Sequence, residues 1–214
     1  MNFEQARFNM VEQQIRPWDV LDFDVLDALS ELPRERFVTA EQQGYAYADT
    51  SLPLPNGGQM LEPKVVARLI QGLQLQKSDT VVEIGTGSGY ATALLSRLAG
   101  RVISVDTDAE QQQRAAAVLA DLDIHNVEFR VLDGLQGLGE EFSAVYVGGS
   151  CPVMPEKLKA QLKDGGRMVV ILGQAPVMRA TLVRQSDSGL VATQPWDTLA
   201  PRLIGFPEPS RFQF

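Results

Sequence analysis

Residues 83–89 read Glu83-Ile84-Gly85-Thr86-Gly87-Ser88-Gly89, an acid followed by three glycines at alternate positions. Val81 and Val82 lead into it, and a helical stretch, Tyr90–Leu98, follows at once. A loop this poor in side chains lets a ligand lie against backbone N–H groups at a helix N-terminus, an arrangement that binds nucleotides. The spacing is G-x-G-x-G rather than the G-x-G-x-x-G of dinucleotide sites. No Gly-Lys-Ser/Thr follows, as a P-loop would require. A carboxylate at Glu83 would repel a pyrophosphate but suit a ligand carrying an ammonium and a sulfonium. S-adenosylmethionine is such a ligand. The plainer alternative is a glycine-rich turn with no ligand.

Two further acids extend the pattern. The apolar strand Arg101–Asp106 ends in Asp106, about 20 residues beyond Gly85, the offset at which an acid meets ribose hydroxyls. Capping of the next helix, which starts near Ala109, is the competing role, and Asp108 is placed to take it instead. A third strand over residues 127–132 ends in Asp133-Gly134. An acid there sits on the ligand-binding edge of an open parallel sheet and can accept a hydrogen bond from an adenine amino group.

These residues need a scaffold that brings strand ends together. Strand and helix patterns alternate from Thr80 to about Gly173, which predicts a parallel sheet built from βαβ units. Strand four is expected at residues 144–148. Strand five is expected at 167–172, after the turn Asp164-Gly165-Gly166. Residues 178–185 and 191–195 then read as strands joined by a hairpin turn at Asp187-Ser188-Gly189. An antiparallel pair closing such a sheet distinguishes a class I S-adenosylmethionine-dependent methyltransferase fold: α/β, Rossmann-like, mostly parallel, with a C-terminal antiparallel hairpin. Upstream, residues 1–40 carry helical periodicity, with Phe8, Val11 and Ile15 on one face and Val20, Val25 and Leu29 continuing the pattern after Pro17. The proline- and glycine-rich stretch from Tyr45 to Pro63 reads as a long irregular loop, and residues 64–73 as a helix. The expected division is a helical and substrate-loop extension over residues 1–75 and a cofactor-binding core over 76–214, packed as one unit. Phe212 and Phe214 are expected to dock onto the body.

Composition excludes several classes. The 214 residues carry a net charge of −8 with scattered acids, which argues against a nucleic-acid partner. No apolar run approaches the ~20 residues that cross a bilayer, and no secretory signal is visible, so neither a membrane nor export is expected. A lone Cys151 forms no internal disulfide, which fits a reducing compartment and makes the cytoplasm the default. One His, at position 125, and one Cys leave no metal-ligand set and little prospect of Ser-His-Asp chemistry. His125, beside Asn126, reads as a turn residue.

Over nearly the whole chain these segments resemble the protein-L-isoaspartate O-methyltransferase family. Beyond the glycine loop, the resemblance rests on residues 10–15 (Met-Val-Glu-Gln-Gln-Ile), 32–38 (Leu-Pro-Arg-Glu-Arg-Phe-Val), Ala46-Tyr47, Asp49 and 52–55 (Leu-Pro-Leu-Pro). It continues with Gly58-Gln59 before Pro63, Pro155, Gln161-Leu162 and Gly165-Gly166-Arg167. The resemblance implies a seven-stranded sheet and methyl transfer from S-adenosylmethionine to a carboxylate of isoaspartyl residues in damaged proteins. It implies cofactor binding by Glu83, Gly85, Thr86, Gly87, Ser88, Gly89, Asp106, Asp133 and Gly134. One departure stands out. The family's substrate loop reads Gly-Gln-Thr-Ile-Ser-x-Pro, with its serine near the reacting groups. Here it is Gly58-Gln59-Met60-Leu61-Glu62-Pro63, one residue shorter. Leu61 or Glu62 takes the serine position, depending on which end is aligned, and neither supplies a hydroxyl. Strand four opens Phe142-Ser143 instead of Phe-Asp, and Asp106 stands where the family commonly has Glu. Gln59, Met60, Leu61 and Glu62 are therefore the candidates at the acceptor. Met60-Leu61 could line an apolar acceptor pocket, and Glu62 could act as a base or pair with a cationic acceptor. A small-molecule or different peptide acceptor, or a non-catalytic cofactor-binding relative, remain the alternatives.

Overall fold

A computed structural model describes residues 2–187 and 189–205. Helix α1 (Phe3–Asn9) is capped by the Asn2 side chain and runs into a π-helical turn, Met10–Ile15. That turn explains one difference from the periodicity. Widening the repeat rotates the apolar face, so Met10, Val11 and Ile15 are buried while Phe8 is 59% exposed. Helix α2 (Phe23–Glu31) is capped by Asp22 and buries Val25 and Leu29, and Val20 just upstream is buried too.

The expected irregular loop contains a small hairpin. Strands β1 (Leu52–Pro53) and β2 (Gln59–Met60) pair antiparallel around a turn closed by the Leu54 N–H donating to Gly58 O at 2.8 Å. Two-residue strands are too short for alternation to reveal. Helix α3 (Pro63–Leu73) starts on Pro63, whose missing N–H costs nothing at a helix start, and ends at Gln74 in the left-handed region.

The core then alternates: β3 (Thr80–Ile84), α4 (Tyr90–Leu98), β4 (Arg101–Asp106), α5 (Ala109–Asp121), β5 (Val127–Val131), β6 (Phe142–Cys151), α6 (Glu156–Lys159), β7 (Leu162–Gln174), β8 (Val177–Ser186) and β9 (Gly189–Asp197). The seven-stranded sheet has the order β5-β4-β3-β6-β7-β8-β9. It is parallel through β7 and antiparallel from β7 to β9, the arrangement expected from the hairpin signal. Ser188 in that turn and both terminal phenylalanines lie outside the described residues. The order in which strands are added reverses between β3 and β6, which opens a crevice at their C-terminal ends.

Strands β6 and β7 are longer than the sequence pattern suggested, because their pairing slips twice. One slip, between Phe142 and Ala144, absorbs the expected 164–166 turn. The other, between Tyr146 and Ser150, inserts Gly148 and Gly149 into β6 at the crevice. Helices α2 and α3 share one apolar cluster with α4, β6 and β7, so the N-terminal extension packs directly on the sheet. Arg167 on β7 ties the end of α3 to it, donating to Leu73 O and Gln74 O and pairing with the buried Asp79.

Candidate active site

Backbone geometry builds the floor of the site. Gly85, Gly87 and Gly89 have φ of +90°, +53° and +84°, a region that side chains other than glycine adopt only with strain. Gly89 serves packing: a Cβ there would meet the Ala115 Cβ of α5 at 2.8 Å. Gly148, arriving from β6, would bring a Cβ to 2.9 Å from Gly85 O, so the close approach of β6 to the loop requires glycine at 148.

Two cavities share this floor. The larger, about 690 Å³ including its open mouth, runs from Gly85, Gly87 and Gly148 along the strand ends past Asp106 to Leu132, Asp133 and Gly134. The smaller, about 330 Å³, lies between Gly85–Gly148 and the substrate loop, and is lined by Gln59, Met60, Leu61, Thr86, Ser88, Tyr90 and Tyr146. Gln59 lines both.

The nine residues expected at the cofactor divide accordingly. Gly85 and Gly87 line both cavities; Asp106, Asp133 and Gly134 line the larger; Thr86 and Ser88 line the smaller. Asp108 caps α5, accepting from the Gln111 N–H at 2.9 Å, which leaves Asp106 at the cavity. The Asp106 carboxylate accepts from the N–H groups of Gly87, at 3.2 Å, and Asp108, at 3.0 Å. Asp133 accepts from the Leu135 N–H at 3.0 Å. Gly89 and Glu83 line neither cavity.

Glu83 departs most from its expected role of facing a cation. It is fully buried behind the loop, and its Oε2 accepts from Thr92 Oγ1 at 2.5 Å and Ser104 Oγ at 2.6 Å. Ser104 in turn shares a hydrogen bond with Thr86 of the loop at 2.7 Å. Burial pushes the carboxyl up to about 8 and the nearby Asp106 adds to this, against the two hydroxyl donors. Its position makes it a support for the loop.

The substrate loop has a support of its own. Arg34, fully buried, donates from Nε to Ala46 O at 2.7 Å and from Nη2 to Leu61 O at 2.9 Å. Its guanidinium lies 4.6 Å from the Tyr90 ring centroid. Burial lowers its pKa, and no carboxylate among the described residues pairs with it, so a positive charge sits beneath the smaller cavity. The two candidates for the serine position are placed differently. Leu61 is buried and lines the cavity with Met60, while Glu62, just before α3, turns to Lys64, 3.4 Å away. Glu62 lines neither cavity.

Several lining residues carried no signal in the sequence. Leu54 and Asn56 reach the larger cavity from the β1–β2 turn, and Pro201, Arg202, Leu203 and Ile204 cover it from beyond β9. This last segment is held by the Leu203 N–H donating to Ser150 O at 3.0 Å and the Ser150 N–H donating to Pro201 O at 2.8 Å. His125 is exposed and contacts Asp123, remote from both cavities. Among the described residues no group of His, Cys, Asp and Glu could hold a metal, and no helix is long and apolar enough to cross a membrane.

A glycine cradle at the reversal point of a mostly parallel seven-stranded sheet, with acids at successive strand ends, defines a class I methyltransferase. Comparison with known proteins narrows this. The family model for protein-L-isoaspartate(D-aspartate) O-methyltransferase matches residues 6–199. The protein-L-isoaspartate O-methyltransferase of Koribacter versatilis is 36% identical over 205 residues, covering 95% of this chain and 92% of its own length. Protein-L-isoaspartate O-methyltransferase 1 of Rhodopseudomonas palustris is 38% identical over 208 residues, covering 95% and 85%. A solved protein-L-isoaspartate O-methyltransferase superposes with a TM-score of 0.77 at 26% identity, over 96% of this chain and 66% of that one. A structure from Plasmodium falciparum in complex with S-adenosyl-L-homocysteine has the same fold, with a TM-score of 0.77 at 18% identity, over 95% and 98%. The chain belongs to the protein-L-isoaspartate(D-aspartate) O-methyltransferase family of S-adenosylmethionine-dependent enzymes.

Proposed function

We propose that this protein methylates the free carboxylate of isoaspartyl residues in proteins and peptides, using the larger cavity for S-adenosylmethionine and the smaller for the acceptor. The observation that carries this reading is the shared floor: both cavities end on Gly85, Gly87 and Gly148, so donor and acceptor meet there. There Asp106 and Asp133 would hold the ribose and adenine ends, and the backbone of residues 85–88 would hold the amino-acid end. Glu83, Thr86 and Ser104 keep that loop in shape.

When bound, S-adenosylmethionine supplies a methyl group on a positively charged sulfur. C–O bond formation and S–C bond breaking then leave a methyl ester and a neutral thioether. The protein need not move a proton, since a carboxylate with a pKa near ~4 is already ionised at neutral pH. Its task is alignment, worth up to ~7–11 kcal/mol in well-oriented systems. The apolar walls of Met60 and Leu61 exclude water from the acceptor, and the buried Arg34 charge favours an anion over a cation there. The composition and the lone buried Cys151 support a cytoplasmic setting.

The test is incubation with labelled cofactor and an isoaspartyl peptide beside its aspartyl twin. Base-labile label on the isoaspartyl peptide alone is expected. Tight cofactor binding without label on either peptide would reject this acceptor in favour of another.

A further inference from the structure

The loop that loses its serine faces a residue that offers a hydroxyl from the opposite wall. Tyr146 stands on β6 directly beside Glu83 of β3 in the parallel pairing, and it lines the smaller cavity opposite Met60 and Leu61. Its side chain is 1% exposed, yet its hydroxyl has no hydrogen-bond partner among the described residues. An unpaired buried hydroxyl costs roughly 1–3 kcal/mol, so its place on a cavity wall calls for a partner that arrives with a ligand. Tyr90 on the same wall is also buried, and the Arg34 guanidinium lies against its ring and interacts with its hydroxyl. Two tyrosines thus line a cavity whose loop side carries Met60 and Leu61 beside Gln59, with a buried cation behind one of them.

We propose that Tyr146 is a specificity-determining residue whose hydroxyl donates a hydrogen bond to the acceptor carboxylate, taking over from the β6 side the contact that a serine at the Leu61 position would make. The inference rests on the acceptor reading above. The phenol donates to the carboxylate oxygen that does not attack, and it stays protonated because burial holds its pKa well above neutrality. The bond strengthens binding of the anion and is weaker to the ester product. Its loss should therefore appear in KM for the peptide more than in kcat.

The experiment compares the unaltered protein, Tyr146→Phe, and Tyr146→Phe combined with Leu61→Ser. The isoaspartyl peptide is the substrate, and S-adenosylhomocysteine binding by calorimetry is the control. Expected are a rise in peptide KM of about tenfold or more in Tyr146→Phe, as for a lost hydrogen bond to a charged group, and unchanged S-adenosylhomocysteine affinity. The added serine should recover most of the loss. An unchanged KM overturns the inference and leaves the phenol as a partner for the unpaired Oε1 of Glu83. Parallel losses of KM and S-adenosylhomocysteine affinity, unrelieved by the serine, also overturn it. No labelling by the unaltered protein overturns the acceptor assignment and this inference together. Should Tyr146→Phe not fold, 3-fluorotyrosine at position 146 alone provides the readout. Its fluorine signal should shift when the isoaspartyl peptide, but not its aspartyl twin, joins the S-adenosylhomocysteine complex, and no shift overturns the inference.

Discussion

The proposed cofactor edge and the proposed acceptor edge of this site share a floor, yet they are built in opposite ways. The cofactor edge is backbone and strand ends: Gly85 and Gly87 in left-handed conformations, Asp106 and Asp133 where β4 and β5 stop. The acceptor edge consists of buried side chains from separate segments: Arg34 before the loop, Met60 and Leu61 in it, Tyr90 on α4 and Tyr146 on β6. A site made of backbone tolerates little change of residue type, because its glycines cannot be replaced without strain or collision. A site made of side chains can lose a group on one wall and regain it on another. The contrast accounts for a cofactor motif intact beside a substrate loop that has drifted.

If the two edges are separately supported, they should also break separately. The largest effect is expected from Arg34→Leu. It strips the donors from Ala46 O and Leu61 O, each costing roughly 1–3 kcal/mol when left unsatisfied, and releases the substrate loop. Methylation should fall by about 100-fold and urea-unfolding stability by about 3 kcal/mol, while S-adenosylhomocysteine affinity in the folded fraction changes little. Equal loss at both edges would mean that Arg34 supports the whole site. Asp106→Ala tests the other half. S-adenosylhomocysteine affinity measured by calorimetry should drop by about 10- to 100-fold, as for hydrogen bonds to a charged group. Unchanged affinity would remove Asp106 from the cofactor site.

The same contrast decides what could be read from sequence. Glycines at alternate positions and acids at strand ends are local patterns, and the strands that carry them are apolar runs, so the parallel sheet was legible, and with it the loop and strand ends proposed to hold the cofactor. The antiparallel closure was legible too, from the turn residues between β8 and β9. Arg34 was visible only as part of a family segment without a role. Its partners are main-chain carbonyls 12 and 27 positions away, and no side-chain pattern encodes such a contact. Alignment alone left Leu61 and Glu62 as equals. Helix α3 decided between them by starting at Pro63, which turns Glu62 outward to Lys64. Phe8 was misplaced because a regular period of 3.6 was assumed across a π-helical turn. Residues 201–204 follow the last strand with no periodicity, so nothing marked them as a cover for the larger cavity.

A smaller effect sharpens the position of Glu83, the one acid of the motif that lies behind the backbone rather than at the cavity. Its carboxyl is raised from the ordinary 4.5 to about 8, chiefly by burial. Below about pH 4.5 the folded and unfolded chains both hold the proton, and Glu83 costs nothing. Between pH 4.5 and 8 the unfolded chain has released it while the folded chain must keep it or bury a charge, so this group's contribution weakens as pH rises. Glu83→Gln removes the titration and keeps an acceptor for the Thr92 and Ser104 hydroxyls. The difference in melting temperature between variant and parent should therefore shift toward the variant by several degrees between about pH 5 and about pH 8. Any other titration is common to both proteins and cancels in the difference. A difference that stays constant with pH would show that Glu83 is ionised in the fold, and it would return this residue to the role of a fixed negative charge beneath the glycine loop.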